Sequence, residues 1–219
     1  MKQCTEGKGG NHMKSIFDTL DLPEFRNRPA MFLGKRDLSL LKAWIEGYST
    51  ACEEAGEEER LETPNGLSIS LLRDFIACEE RDQSTGGIDD ILLRAADGHE
   101  GAAWATFFSH LDVFESLRVQ SVQTMKVTDE MAKHAEDKRL VFTMNAEGKM
   151  EPYSYRGLVF RKAVLNENVC WITQERPGGV PEQPFFGYGF AIMPQKEVDE
   201  KIALYFGEVN WETEREAEA

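Results

Sequence analysis

Apolar residues recur every third or fourth position from Leu38 to Leu117, and the period shortens beyond residue 118. Leu41, Trp44, Ile45, Tyr48 and Cys52 make one stripe, which predicts an amphipathic helix over 38–55. Asp37 is placed to cap its first turn, and Gly56 to end it. Pro64-Asn65-Gly66 signals a turn, after which Ile69, Leu72, Phe75 and Ile76 repeat the helical spacing. Gly86-Gly87 interrupts it. Ile88, Ile91, Leu92 and Ala95 then predict a short helix that stops at Gly98. Ala103, Trp104, Phe107, Phe108, Leu111 and Phe114 form the heaviest stripe, a helix over 100–117. Four helices joined by short glycine-rich loops predict a compact bundle.

The second half alternates instead. Val119 to Val127 is rich in β-branched residues. Leu140–Met144 and Met150–Tyr155 flank a turn at 145–148, and Leu158–Leu165 and Val169–Thr173 flank Asn166-Glu167-Asn168, so two hairpins are expected. Phe185–Met193 reads as a further strand containing Gly187 and Gly189, and 195–206 returns to helical spacing. The fold class expected is α+β: an N-terminal four-helix bundle, then a small antiparallel β-sheet with a C-terminal helix. The divisions are a flexible leader over 1–12, an acidic helical bundle over 13–118, sheet plus helix over 119–211, and a disordered acidic tail over 212–219. The leader has polar and glycine residues but no apolar stretch of the secretory kind.

Charge sharpens this picture. The 219 residues carry a formal net charge of −14. Residues 13–118 hold 21 acidic and 11 basic side chains, whereas 119–219 hold 17 and 12. Such a chain is repelled by nucleic acid and by anionic lipid, so neither is expected as a partner. No apolar run is long enough to span a bilayer. The cysteines, Cys4, Cys52, Cys78 and Cys170, are isolated, a pattern that points to a reducing compartment, the cytoplasm. Glu53, Glu54, Glu57, Glu58, Glu59 and Glu62 crowd one helix end and its loop, with Glu46 on the same helix. Carboxylates there oppose the helix dipole, at roughly 0.3–1 kcal/mol each at low salt. Helix stability therefore does not explain them, which leaves two explanations open, solubility and a basic partner.

Motifs for chemistry are sparse. No phosphate-binding glycine loop and no G-x-S-x-G elbow occurs. His99 and His110 fall on one expected helix but about 16 Å apart, too far to share a metal ion. Cys170 reads as a buried strand cysteine rather than a nucleophile. Asp89-Asp90 and Glu79-Glu80 read as solvated faces, because adjacent residues on a helix point apart. Arg156, Arg161 and Lys162 read as protection of a strand edge. No catalytic, cofactor-binding or metal-ligating residue is assigned.

The most distinctive segment runs from Arg26 to Lys35, RNRPAMFLGK. Pro29 favours an extended Arg28, and Met31, Phe32 and Leu33 are placed to anchor the segment on the bundle. With Trp44-Ile45-Glu46-Gly47-Tyr48 and the Trp104–Phe114 helix, it resembles the pattern R-x-R-P-x-M-[FY]-L-G of bacterial immunity proteins encoded beside contact-dependent or polymorphic toxins. The resemblance covers residues 24–117. It implies a cytoplasmic protein without catalysis or cofactor that binds a cognate toxin domain and occludes its basic active surface. The docking residues expected from charge are Glu46, Glu53, Glu54, Glu57, Glu58 and Glu59. Two alternatives remain at this level: an acidic nucleic-acid mimic or regulatory binder of another basic protein, and an enzyme with its site in the β half near Arg156, Arg161 and Cys170.

Overall fold

A computed structural model describes residues 15–138, 141–144, 147–176, 180–181, 191–207 and 210–214. Three short helices come first: α1 (Ile16–Leu20), α2 (Pro23–Asn27) and α3 (Ala30–Leu33). Ser15 and Asp18 close a reciprocal capping box on α1, and Pro23 opens α2, where its missing N–H costs nothing. Next come α4 (Leu38–Ala55), α5 (Leu72–Glu79), α6 (Ile88–Ala95) and α7 (Glu100–Ser116). The Asp37 carboxylate accepts from the Leu40 N–H, and Gly56 ends α4 in the left-handed conformation. The four helices expected from periodicity form as α4–α7, but the first half is not built of these four alone. It contains α1–α3 as well, because a few residues per turn are too short a window for a helical stripe to register.

The second half comprises β1 (Ser121–Lys126), α8 (Asp129–Lys138), β2 (Phe142–Met144), β3 (Met150–Pro152), β4 (Val159–Val164), β5 (Val169–Arg176), β6 (Val180–Pro181), β7 (Ala191–Pro194), α9 (Gln195–Phe206) and β8 (Glu212–Thr213). The main sheet is antiparallel in the order β6-β5-β4-β1-β8, with β7 also paired to β5. Both expected hairpins form, but β2 and β3 make a separate ribbon. Three elements were not expected: the two-residue β6, α8 and β8. Helix α8 buries only Ala132 and Ala135, too little apolar surface to stand out in sequence. Strand β8 falls in the stretch read as a disordered tail: Glu212 and Thr213 pair with Thr124 and Gln123 of β1. Residues 185–190 of the strand expected over Phe185–Met193 lie outside the described residues.

Two cores meet at β5. The helical core gathers Phe17, Phe25, Leu72, Phe75, Phe107, Leu111 and Phe114, with the Phe75 and Phe114 rings 5.6 Å apart. The sheet core gathers Met125, Phe160, Ile172, Val198, Ile202 and Phe206. Successive strand residues face opposite sides. Val169 and Trp171 accordingly join the helical core, and Cys170 and Ile172 the sheet core. Leu165 and Ile192 also belong to the helical core, so apolar packing crosses the division expected near residue 118.

Candidate acidic docking site

The acidic end of α4 is a built surface. Gly56 turns the chain, and residues Glu58–Leu61 form a 3₁₀ turn whose Leu61 is buried. The Arg60 guanidinium pins this turn: it donates to the Glu57 carboxylate at 2.5 Å and to the Tyr48 hydroxyl, and lies 5.2 Å from the Tyr48 ring centroid. The chain then reverses at Pro64-Asn65-Gly66. The Thr63 N–H donates to the Leu67 carbonyl, and Gly66 has φ +77°. Asn65 donates to the Glu115 carbonyl, which fastens the loop to α7.

The glutamates fare differently. Glu57 is matched by Arg60, and Glu46 stands 3.9 Å from Lys42, so these two carry part of their compensation within the molecule. Glu53, Glu54, Glu58 and Glu59 are exposed and have no cationic partner among the described residues. Glu62 is exposed beside them. The structure thus gathers all the singled-out glutamates except Glu46 at one end. Glu46 lies seven residues before Glu53, about 10 Å back along the helix.

A groove of about 530 Å³ runs beside α4. Ile45, Ile69 and Ile88 supply its apolar lining, and Glu46, Ser49, Thr50 and Glu53 its rim. Its two cations are occupied. Lys42 lies 3.7 Å from Asp89, and Arg73 pairs with Asp74 and donates to the Ser84 and Gly86 carbonyls. Sequence pattern showed the isoleucines only as core residues. Their convergence depends on the turns at Pro64–Gly66 and Gly86-Gly87.

A second cleft, about 590 Å³, lies between α5 and the β7–α9 corner and is lined by Cys78, Arg81, Asp82, Ser84, Glu197 and Lys201 among others. Burial, reinforced by Glu79 and Glu197, pushes the Cys78 thiol up to about 11. The Cys170 thiol is pushed up to about 12, again mainly by burial. Both are thiols rather than thiolates at neutral pH. Asp82 is held down near 2 by hydrogen bonds from Ser84 and by Arg94. No group of three or more His, Cys, Asp or Glu residues poised to hold a metal ion occurs among the described residues.

Other sequence readings are revised. Strand β4 is interior to the sheet, so Arg161 and Lys162 are not edge guards. Arg161 pairs with Glu175 at 3.2 Å. Lys162 is buried, donates to Asp199 at 2.8 Å and sits 4.4 Å above the Trp211 ring. Glu80 is no free solvated carboxylate, for it lies 2.5 Å from His110 Nε2. Asp89 accepts from Ser39. The expected anchoring holds in part: Phe32 lies 5.0 Å from the buried Phe25 ring and Leu33 packs against the helical core, whereas Met31 stays exposed. Arg26 adds to this anchorage. It pairs with Asp21 and Asp112, donates to the Leu20 carbonyl and lies 4.9 Å from the Phe108 ring centroid.

No protein-family profile, no curated protein sequence and no solved structure matches this chain. No helix among the described residues is long and apolar enough to cross a membrane.

Proposed function

We propose that this chain is a cytoplasmic immunity protein that binds a cognate bacterial toxin and covers its basic active surface. The observation that supports this reading best is the set Glu53, Glu54, Glu58 and Glu59, exposed beside the Arg60-pinned turn with no cation among the described residues to neutralise them. An ordered, uncompensated acidic end on a chain of net charge −14 speeds encounter with a basic protein and orients it. The adjacent isoleucine groove offers apolar contact that carboxylates alone do not supply.

The test is stopped-flow association with the toxin domain encoded beside this chain. Wild-type association slows steeply as salt rises, and the quadruple change Glu53→Lys, Glu54→Lys, Glu58→Lys, Glu59→Lys slows it at least tenfold at low salt. Association that ignores both salt and the quadruple change rules out the acidic end as the docking face. Absence of binding to that toxin rules out the immunity function itself.

A further inference from the structure

The segment that sequence marked as most distinctive is only partly used by the fold: Leu33 and one side of Phe32 pack inward, and the remaining apolar surface stays outside. Met31 and Phe32 of α3 and Leu40 in the first turn of α4 are 68 %, 43 % and 37 % exposed. Arg28 and Arg36, on either side of α3, are exposed and have no acidic partner among the described residues. Lys35, next to Arg36, is tied to Asp37 at 2.5 Å. This is an apolar ledge with a positive rim on a molecule that is otherwise strongly negative. Clustered large apolar side chains with a polar rim mark an interaction surface.

Its chemical complement is on the same molecule. The groove beside α4 has an isoleucine lining; on its rim Glu53 has no cationic partner among the described residues, and Glu46 has only Lys42 at 3.9 Å. Ledge and groove cannot meet within one chain. At 100° per residue Leu40 stands about 150° around α4 from the middle of the row Lys42, Glu46, Ser49 and Glu53. The two surfaces therefore look away from each other on opposite flanks of one rigid helix.

We propose that the α3 ledge of one copy docks into the α4 groove of a second, in a head-to-tail self-association. Met31 and Phe32 enter between Ile45, Ile69 and Ile88, while Arg28 and Arg36 reach Glu46 and Glu53. Because the two surfaces differ, the contact is heterologous and leaves one ledge and one groove free at the ends of every assembly. The net charge opposes it at very low salt. At about 0.15 M the Debye length is near 8 Å, so distant charges are screened while contacting pairs persist. Assembly and toxin binding share Glu46 and Glu53 and exclude one another, but the self-contact does not depend on the toxin reading.

Sedimentation velocity of the full chain from 10 to 300 µM at 0.15 M salt tests this, with two surface variants. Arg28→Glu with Met31→Glu removes the ledge, and Glu46→Lys with Glu53→Lys removes the groove. All four positions are exposed, and circular dichroism and thermal melting verify that both variants fold. Wild type gains mass with concentration beyond the 24.8 kDa chain without stopping at a dimer. Each variant alone stays monomeric. Their equimolar mixture forms a dimer and nothing larger, because it holds one intact ledge and one intact groove. Wild type that remains monomeric at 300 µM overturns the proposal, as does association that survives in either variant or a mixture that stays monomeric. Cosedimentation of monomeric wild type with phosphatidylserine vesicles, abolished by the ledge variant, assigns the ledge to a lipid surface instead and equally overturns it.

Discussion

Gly56 shows how one residue holds the acidic end in place. It adopts φ +68°, ψ +37°, and a Cβ there would meet open space. Gly56→Ala therefore costs backbone strain alone, about 1–2 kcal/mol, read as a lowered urea midpoint. The Lys162–Asp199 pair is a different case, since one partner is buried and the other half exposed. Removing only the carboxylate leaves a buried ammonium and the Trp211 indole N–H, which donates to Asp199 at 3.0 Å, without their acceptor. Asp199→Ala is expected to cost about 1–3 kcal/mol in equilibrium unfolding. Lys162→Met keeps the volume and removes the buried charge, and is expected to lie within about 1 kcal/mol of wild type.

At the scale of elements, α1, α2 and α7 are tied by Arg26, whose guanidinium serves Asp21 and Asp112. Glu115 lies beside them. Burial first, and then the charges of Asp21 and Asp112, raise its carboxyl to about 7, with Arg26 opposing. The unfolded chain releases this proton near its ordinary value of 4.5, so between 4.5 and 7 the folded protein binds more protons. Its contribution to stability therefore falls as pH rises through that window and is level above it. Asp82, held near 2, acts in the opposite sense below its ordinary 3.8, where stability grows with pH. Glu115→Gln should flatten the decline between pH 5 and 7 in a series of urea melts and leave the acid limb intact. The long elements were legible because their pattern is long: Leu41 to Cys52 and Ala103 to Phe114 each span several turns. Helix α8 hid because Ala132 and Ala135 are its buried contacts, and β8 because Glu212 and Thr213 pair through backbone alone. The glutamates of the acidic end were visible in the sequence. Their separation into Arg60-matched Glu57 and uncompensated neighbours was not, because it depends on where one guanidinium comes to rest. The exposure of Met31 and Phe32 was illegible for a related reason: an apolar residue in a short segment reads as an anchor until the fold leaves it outside.

For the whole molecule, the sharing of Leu165, Val169 and Ile192 with the helical core makes the two halves interdependent. Unfolding followed by tryptophan fluorescence and by far-ultraviolet circular dichroism should give coincident curves. A chain cut after residue 118 should fail to show a cooperative transition at the full-length midpoint, since part of its interior is exposed. Two separated transitions would show instead that the halves are autonomous. The dual allegiance of β5 has another consequence. Inserting a single amino acid between Val169 and Cys170 would invert the parity of the rest of the strand, sending Cys170 and Ile172 toward the helices and Trp171 toward α9. Neither interior can absorb such an exchange, so length changes in β5 should be the least tolerated in the chain, while the same insertion in the Asn166–Asn168 turn leaves both faces of the strand in phase.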